Sequence, residues 1–217
     1  MSKIIVLRPE PGASATLARA ATAGIDAVAV PLFEVVPVAW EAPDPDAFDA
    51  LLLTSANASR QGGRSLAALK KLPTYCVGEA TAAAAIKAKL NVVGTGVSDA
   101  NTMLAQIPDG LRLLHLTGFN HQVMPGVTQL VIYASRMIDP PPSLEALAGN
   151  VAMVHSPRAG ERLAQLVTER GDIAVAAISQ AAAEACGEGW RKVAAIDVPT
   201  DGALLALAGE LCENDSR

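Results

Sequence analysis

The sequence contains few of the residues on which metal sites, disulfide frameworks and aromatic-rich binding sites depend. Of its 217 residues, 3% are aromatic, and only three are histidine and three cysteine. The cysteines (Cys76, Cys186 and Cys212) form no CxxC pair, so we expect neither a disulfide framework nor a thiolate metal site. No run approaches the roughly 20 apolar residues that span a membrane. We therefore expect a protein of the reducing cytoplasm that uses no metal and no cofactor and does not act at a membrane.

The chain also lacks an excess of positive charge. Lysine and arginine number 17 against 22 acidic residues, which gives a net charge of −5. Nucleic-acid binding requires clustered positive charge, so we expect no nucleic-acid partner. Hydrophobic residues reach 51%, which excludes a disordered chain, and the scarcity of aromatics predicts a core of Ala, Val, Leu and Ile.

Short runs rich in Val, Ile and Leu alternate with alanine-rich segments. Many of these runs, such as Leu51–Leu53, are continuously apolar, which is typical of strands covered on both faces. Strand and helix alternation predicts an α/β fold with parallel sheets. Ten strands are many for one sheet, so we expect two five-stranded parallel sheets. The predicted strands are 3–8, 26–31, 49–54, 74–78, 91–95, 111–116, 130–134, 151–155, 173–178 and 193–198.

Polar residues and glycines mark the predicted helix ends. Ser and Thr favour the position before a helix because their oxygens accept from free backbone N–H groups, and glycine favours the position after it. The predicted helix starts are Ser14, Ser98–Asp99, Ser156–Pro157 and Thr200–Asp201, and Gly24 and Gly171 mark two predicted ends.

An internal repeat indicates how the strands divide between two domains. Ser55 and Ser156 lie 101 residues apart in similar segments, as do Gly78 and Ser179. We expect a discontinuous domain of residues 1–35 and 138–217, an inserted domain of residues 38–133, and a two-stranded hinge formed by residues 34–40 and 132–138. The competing interpretation is that all α/β proteins repeat a strand–Ser–helix pattern.

Small polar residues follow the predicted strands where helices begin. Open parallel sheets bind ligands at the carboxyl ends of their strands, and helix N-termini favour anions. Each of these residues could equally be a helix cap alone. Two sheets with such ends at one cleft would suit a large polyanionic ligand. A Ser-His-Asp relay is not expected, because His155 directly precedes Ser156 and adjacent strand side chains point to opposite faces.

Seven short segments follow one another over essentially the whole chain in a familiar order. They are Leu7–Gly12, Phe48–Ala58, Tyr75–Ala82, Val131–Tyr133, His155–Gly160, Ala177–Ser179 and Pro199–Thr200. Together these segments resemble the uroporphyrinogen-III synthase family.

The resemblance implies two flavodoxin-like domains joined by a two-stranded linker. It implies a cytoplasmic, monomeric and cofactor-free lyase of tetrapyrrole (haem) biosynthesis. Such an enzyme cyclises hydroxymethylbilane, a linear tetrapyrrole with eight carboxylates, to uroporphyrinogen III and inverts the terminal pyrrole ring. Transient contact with the preceding pathway enzyme is compatible with this role.

The resemblance also implies the site residues. Tyr133 is the expected catalytic residue, as a hydrogen-bond donor to the departing hydroxyl. The chain departs from the family pattern at Ser179, where a glycine is usual, at Ala181–Ala182, and after Gly118, where an arginine is common. The expected substrate-binding residues are Arg8, Pro9, Thr54, Ser55, Ala56, Gly78, Thr81, Ser156, Pro157, Arg158, Ser179 and Gln180.

Two other functions remain open on the sequence alone. One is a non-enzymatic, two-lobed protein that closes on a small effector. The other is a flavin or nucleotide binder, which the scarcity of aromatics and the missing phosphate loop disfavour. Gly94-Thr95-Gly96 begins like a dinucleotide-binding turn, but no third glycine follows at the required spacing.

Overall fold

The computed structural model describes residues 2–96 and 100–214, in which the chain forms an α/β fold. The predicted helix start at Ser98–Asp99 lies outside these residues. The strands are β1 (Ile4–Val6), β2 (Ala27–Ala29), β3 (Phe33–Pro37), β4 (Ala50–Leu53), β5 (Pro73–Val77), β6 (Asn91–Gly96), β7 (Leu113–Gly118), β8 (Thr128–Met137), β9 (Val151–Val154), β10 (Ala174–Ala177) and β11 (Lys192–Ala195). The helices are α1 (Gly12–Thr22), α2 (Ala56–Gln61), α3 (Glu79–Lys87), α4 (Ala100–Leu104), α5 (Pro157–Leu166), α6 (Gln180–Ala185) and α7 (Asp201–Asn214).

The first sheet has five parallel strands in the order β11-β10-β9-β1-β2. The two N-terminal strands therefore join the three C-terminal ones, although more than 100 residues separate them in the chain. Main-chain pairing of β1 with β9 holds them together, with Ile4 opposite Val151 and Val6 opposite Met153. The prediction of a five-stranded parallel sheet is confirmed for this part of the chain.

The second sheet corrects the prediction of another five-stranded parallel sheet. It has six strands in the order β3-β8-β7-β4-β5-β6. Strand β3 runs antiparallel to β8. The Val38 N–H donates to the Ile132 carbonyl at 3.0 Å, and the Ile138 N–H donates to the Leu32 carbonyl at 3.1 Å, so later residues of one strand pair with earlier residues of the other. The physical reason is the length of β8: its ten residues pair with β7 in the first half and with β3 in the second. The segment predicted as a separate linker is thus part of a mixed sheet.

The chain divides into two compact units. Unit 1 contains residues 1–34 and 137–217, and unit 2 contains residues 35–136. Leaving β3 aside, each unit has five parallel strands, in the order β2-β1-β9-β10-β11 in unit 1 and β8-β7-β4-β5-β6 in unit 2. Strands β4 and β9, which carry the repeated segments, therefore occupy the same position in the two sheets.

Each sheet buries apolar side chains on both faces. Successive side chains of a strand point to opposite faces, so Ile4 and Val6 pack with α1 and α7 while Ile5 packs with α5 and α6. In unit 2, Leu51 and Leu53 pack with α2 and α3, whereas Leu52 packs with Met103 of α4. Burial of this apolar surface is the main source of stability, at roughly 25 cal/mol per Å².

Two predicted helix ends differ from the structure. Helix α1 begins at Gly12, and Ser14 instead donates its N–H and hydroxyl to the carboxylate of Glu10 at 3.1 and 2.9 Å. Helix α5 ends at Leu166, before the predicted end at Gly171. The helix ends because the backbone of Val167 is extended, with φ of −105° and ψ of 115°. The Arg170 side chain then donates to the carbonyls of Val167 and Ala164 near this end.

Candidate active site

In unit 2, the predicted site residues lie at the carboxyl ends of the strands. Thr54 follows β4 directly, and Ser55 then begins α2 by accepting a hydrogen bond from the Asn57 N–H at 3.2 Å. Ala56 is the first residue of that helix. This turn has two hydroxyl groups. The Ser55 oxygen caps the helix, and the Thr54 hydroxyl lies at the end of the strand.

Gly78 and Thr81 form the equivalent turn after β5. Gly78 precedes α3 with a φ of 82°, in the left-handed region that favours glycine, and its N–H donates to the Gly96 carbonyl at 2.8 Å. Thr81 lies in the first turn of α3 and is only 5% exposed. A ligand could therefore reach little of the Thr81 side chain.

Tyr133 lies on β8 directly opposite the last residue of β7, Gly118. Its ring crosses Gly118 so closely that a Cβ atom there would lie 2.5 Å from Cε2 and 2.7 Å from Cζ. The Phe119 N–H donates to the Tyr133 carbonyl at 2.9 Å, which fixes the backbone at the same point. The half-buried phenol is thus held at the carboxyl end of the sheet, and only glycine at position 118 leaves room for it.

A buried histidine is hydrogen-bonded to the Thr54 hydroxyl. The Nε2 atom of His115, on β7, lies 2.9 Å from the Thr54 hydroxyl, and its Nδ1 atom lies 3.1 Å from the side-chain nitrogen of Gln129 on β8. Burial, together with a smaller effect of the charge of His121, lowers the pKa of His115 from 6.5 to about 4, so the ring is neutral near pH 7. Neither His115 nor Gln129 is among the predicted site residues.

In unit 1, an acidic residue binds several of the polar groups at the carboxyl end of the sheet. Asp201, the first residue of α7, accepts from Arg8, Thr16 and His155 at 2.8, 2.8 and 2.9 Å, and also from Arg19. Burial raises the pKa of Asp201, but these donors outweigh it and hold the pKa below its usual range. Arg8, predicted to bind substrate, is therefore already paired with a carboxylate.

His155 is held neutral within this cluster. Burial lowers its pKa, although the hydrogen bond to Asp201 opposes the shift. With His155 neutral, Arg8 and Arg19 leave the Asp201 cluster with one net positive charge, which favours an anion nearby. Sequence reasoning identified Asp201 only as a helix start. The five side chains come from four separate segments, so no local pattern could have shown that they meet.

The remaining predicted residues of unit 1 follow β1, β9 and β10. Pro9 lies beside Arg8 after β1. Ser156 caps α5 by accepting from the Ala159 N–H at 3.2 Å, with Pro157 in the first turn, and Arg158 stacks its guanidinium 4.4 Å from the Phe33 ring centre.

Ser179 caps α6 in the same way, accepting from the Ala182 N–H at 3.3 Å. The Gln180 side chain donates to Glu184 on its own helix at 3.2 Å. The structure therefore groups the predicted residues of each unit at the carboxyl ends of its sheet, and in all three turns the predicted serine hydroxyl serves as a helix cap.

A cavity of about 490 Å³ lies at the opposite end of the second sheet, around Phe48, Lys71 and Arg112. Parallel sheets bind ligands at their carboxyl ends, so this cavity is not the candidate site. Across residues 2–96 and 100–214, no three His, Cys, Asp or Glu side chains group as metal ligands would. In the same ranges, no helix has the length and apolar character needed to cross a membrane.

Comparison with known proteins relates this fold to one family. The crystal structure of uroporphyrinogen-III synthetase from Helicobacter pylori is similar over 97% of this chain and 100% of that chain, with a TM-score of 0.67 and 16% sequence identity, which shows a common fold. A mutant uroporphyrinogen III synthase from Thermus thermophilus aligns with 98% of this chain and 100% of its own, at 16% identity and a TM-score of 0.47. No curated protein shows significant sequence similarity. Residues 14–206 match the family described as uroporphyrinogen-III synthase HemD, so the chain belongs to the uroporphyrinogen-III synthase family.

Proposed function

We propose that this uroporphyrinogen-III synthase holds its linear tetrapyrrole substrate at the carboxyl ends of the strands in both units. The enzyme is a lyase that closes hydroxymethylbilane into uroporphyrinogen III in tetrapyrrole biosynthesis. The observation that carries the proposal is the position of Tyr133 at the carboxyl end of β7, on the same edge of the second sheet as the turns that contain Thr54 and Gly78. Family membership disfavours an effector-binding protein and a flavin or nucleotide binder.

The two units are proposed to be flavodoxin-like domains with the predicted boundaries of 1–35 with 138–217, and 38–133. In chain order, the first sheet has the strand order 2-1-3-4-5, which is typical of that fold. The division of the chain after residues 34 and 136 supports this interpretation. Residues 34–40 and 132–138 would then act as a hinge.

The reaction depends mainly on the reactivity of the pyrroles and on their placement. The substrate hydroxyl leaves with a proton, and a reactive azafulvene forms. Its attack at the substituted carbon of the terminal ring gives a spiro intermediate, which fragments and recloses with that ring inverted. The protein holds the correct carbon near the azafulvene, an effect of orientation. In this proposal, the Tyr133 phenol donates a hydrogen bond to the departing oxygen.

The substrate carboxylates need local donors, because the net charge of −5 does not attract them. Backbone N–H groups in the turns after the strands and the guanidinium groups of Arg8 and Arg158 are the proposed donors. The Arg158 guanidinium carbon lies 4.4 Å from the centre of the Phe33 ring, which positions the group after β9. The full proposed set is Arg8, Pro9, Thr54, Ser55, Ala56, Gly78, Thr81, Ser156, Pro157, Arg158, Ser179 and Gln180.

The cellular setting is part of the same proposal. The Cys76 and Cys186 thiols are buried and form no disulfide, which suits a reducing cytoplasm. Burial raises the pKa of each thiol to about 11, which keeps both unreactive. We also propose that the enzyme acts as a monomer and without a cofactor. Transient contact with the preceding pathway enzyme would shorten the lifetime of free hydroxymethylbilane.

Replacement of Tyr133 by Phe tests the proposed site. Freshly prepared hydroxymethylbilane is converted by wild type, Tyr133→Phe and Tyr75→Phe, and the ratio of type III to type I product is measured. We expect Tyr133→Phe to form the type III isomer about 100-fold more slowly, because the hydrogen bond to the leaving group is lost. Spontaneous closure gives type I, so the product ratio should shift toward that isomer.

Tyr75→Phe is the matched control, since Tyr75 is the other tyrosine of the chain and lies on β5, packed against the apolar cluster on the α4 face. It should retain wild-type rate and product ratio. An unchanged rate in Tyr133→Phe would remove Tyr133 from the mechanism. Type I product alone from the wild-type enzyme would overturn the proposed function itself.

A further inference from the structure

A chain of hydrogen bonds links Thr54 to the backbone through two side chains that the proposed mechanism does not use. His115 is 1% exposed, with Nε2 2.9 Å from Thr54 Oγ1 and Nδ1 3.1 Å from Gln129 Nε2. The sheet register brings these residues together: His115 pairs with Leu52 on one side, two residues before Thr54, and with Gln129 on the other.

The direction of each hydrogen bond follows from the surroundings of Gln129. Its side-chain oxygen accepts from the Met124 N–H at 2.9 Å, and its nitrogen donates to the Gln122 carbonyl at 3.0 Å. The second hydrogen of that nitrogen points to His115 Nδ1, which must therefore be an unprotonated acceptor. The neutral ring carries its proton on Nε2, and this N–H donates to the Thr54 oxygen.

The Thr54 oxygen therefore accepts a hydrogen bond from His115, and the Thr54 hydroxyl proton can be donated to another group. We propose that His115 and Gln129 are positioning residues that hold the Thr54 hydroxyl as a hydrogen-bond donor toward a carboxylate of the substrate. A free threonine hydroxyl can donate or accept, whereas a carboxylate only accepts. Because His115 fixes the Thr54 hydroxyl as a donor before the substrate binds, the hydroxyl does not have to rotate when the carboxylate arrives. This inference depends on the proposed contact between Thr54 and the substrate.

A purely structural role for His115 makes a different prediction. If the ring only filled the core and satisfied its own polar atoms, either neutral tautomer would serve, and the tautomer would not affect substrate binding. The low pKa of His115 agrees with a ring that stays neutral, but the tautomer follows from the hydrogen-bond partners alone. The tautomer is therefore the quantity to measure.

Long-range ¹H–¹⁵N NMR spectra of the labelled full-length enzyme distinguish the two neutral tautomers from the imidazolium. The chain has three histidines, so the His115 signals are identified by their absence in His115→Gln. We expect the Nε2–H tautomer in the wild type. In Gln129→Glu, the oxygen that accepts from Met124 is kept, but the second carboxylate oxygen cannot donate, so the proton should move to Nδ1. An Nδ1–H wild type, or an unchanged ring in Gln129→Glu, overturns the inference.

Kinetics on hydroxymethylbilane then test whether the tautomer acts through Thr54, at a pH where the spectra show a neutral ring. We expect KM to rise about tenfold with kcat little changed in both Gln129→Glu and Thr54→Val, the loss typical of one hydrogen bond to a charged group. Thr54→Ser keeps the hydroxyl and should restore most of the binding. Gln122→Leu, which changes an exposed side chain in the same loop and keeps the carbonyl, should match wild type.

The double variant of Gln129→Glu and Thr54→Val shows whether Gln129 acts through Thr54 or independently of it. If Gln129 acts only through Thr54, adding Gln129→Glu to Thr54→Val should raise KM no further. An equal additional loss in the double variant overturns the inference. A wild-type KM in Thr54→Val removes the contact between Thr54 and substrate, and this inference with it. The product ratio of wild type and Tyr133→Phe still tests the proposed function separately.

Discussion

At the scale of single residues, the site depends on buried polar groups whose partners are distant in the sequence. Asp201 accepts from Arg8 and from His155, residues 193 and 46 positions away, and His115 bonds to Thr54, 61 positions away. Removing one partner of such a group leaves the other unsatisfied, which costs about 1–3 kcal/mol. These residues should therefore influence both stability and activity.

His115 should make unfolding depend on pH. Its pKa is about 4 in the folded protein against an ordinary value of 6.5, so the unfolded chain binds more protons between these values. The free energy of unfolding should therefore fall as the pH drops from 6.5 to 4, by about 3 kcal/mol from this residue alone. Urea unfolding at a series of pH values measures the slope.

His115→Gln is the comparison for this slope, because its side chain does not titrate. The variant should be less stable at pH 7 yet lose less stability on acidification, with the difference confined to the interval between pH 4 and 6.5. His155, Asp201 and Asp49 titrate in both proteins, so their contributions cancel in the difference. Parallel slopes for the two proteins would contradict a depressed pKa at His115.

At the scale of secondary-structure elements, the sequence indicates strands better than their pairing. Each of the ten predicted strands overlaps an observed strand. Continuous apolar runs such as Leu51–Leu53 and Val151–Val154 are typical of strands that are buried on both faces of a sheet, so they can be recognised from the sequence. Residues 34–40 and 132–138 were predicted to pair as a separate hinge, whereas the structure makes β3 the sixth strand of the second sheet. No local pattern shows that β8 is long enough to pair with β7 as well as with β3.

The same distinction applies to the candidate site. Turns such as Thr54–Ser55 and Ser156–Pro157 are visible locally, since a polar residue follows an apolar run and precedes a helix. The side chains that bind these turn residues cannot be identified from the local sequence. His115 and Gln129 meet Thr54 only through the order β8-β7-β4, which is not the order of the strands in the chain. Asp201 likewise reaches its partners through the packing of α7 on the first sheet.

Close packing of α5 on α6 gives a prediction at this scale. A Cβ atom on Gly160 would lie 2.8 Å from the Ala182 carbonyl oxygen and 2.9 Å from the Cys186 sulfur, so Gly160→Ala should push the helices apart. Overpacking of this kind costs about 1–3 kcal/mol, measurable as a lower urea midpoint with an unchanged slope.

Gly171→Ala is the matched control, because its Cβ would meet nothing within 4 Å and its φ lies outside the left-handed region. Its stability should stay within about 0.5 kcal/mol of wild type. Equal stability of Gly160→Ala and Gly171→Ala would show that α5 and α6 can separate at no cost.

At the scale of the whole molecule, each unit has a hydrophobic core of its own. Among the residues that the structure describes, the four buried clusters each lie within one unit: Leu163 belongs to a cluster of unit 1, and Leu52 to a cluster of unit 2. The two tryptophans are divided in the same way. Trp190 is buried in unit 1, and Trp40 is half-buried in unit 2, where its indole N–H donates to the Gly62 carbonyl at 3.1 Å. Fluorescence can therefore report each unit separately.

Leu52→Ala should destabilise one unit and spare the other. Leu52 is fully buried, so its truncation should cost about 2–5 kcal/mol through lost burial and a cavity. In a Trp190→Phe background, the urea midpoint reported by Trp40 should fall, whereas in a Trp40→Phe background the midpoint reported by Trp190 should not change. Leu163→Ala should give the reverse pattern. Equal shifts at both tryptophans would mean that the whole chain unfolds as one cooperative structure in spite of its separate cores.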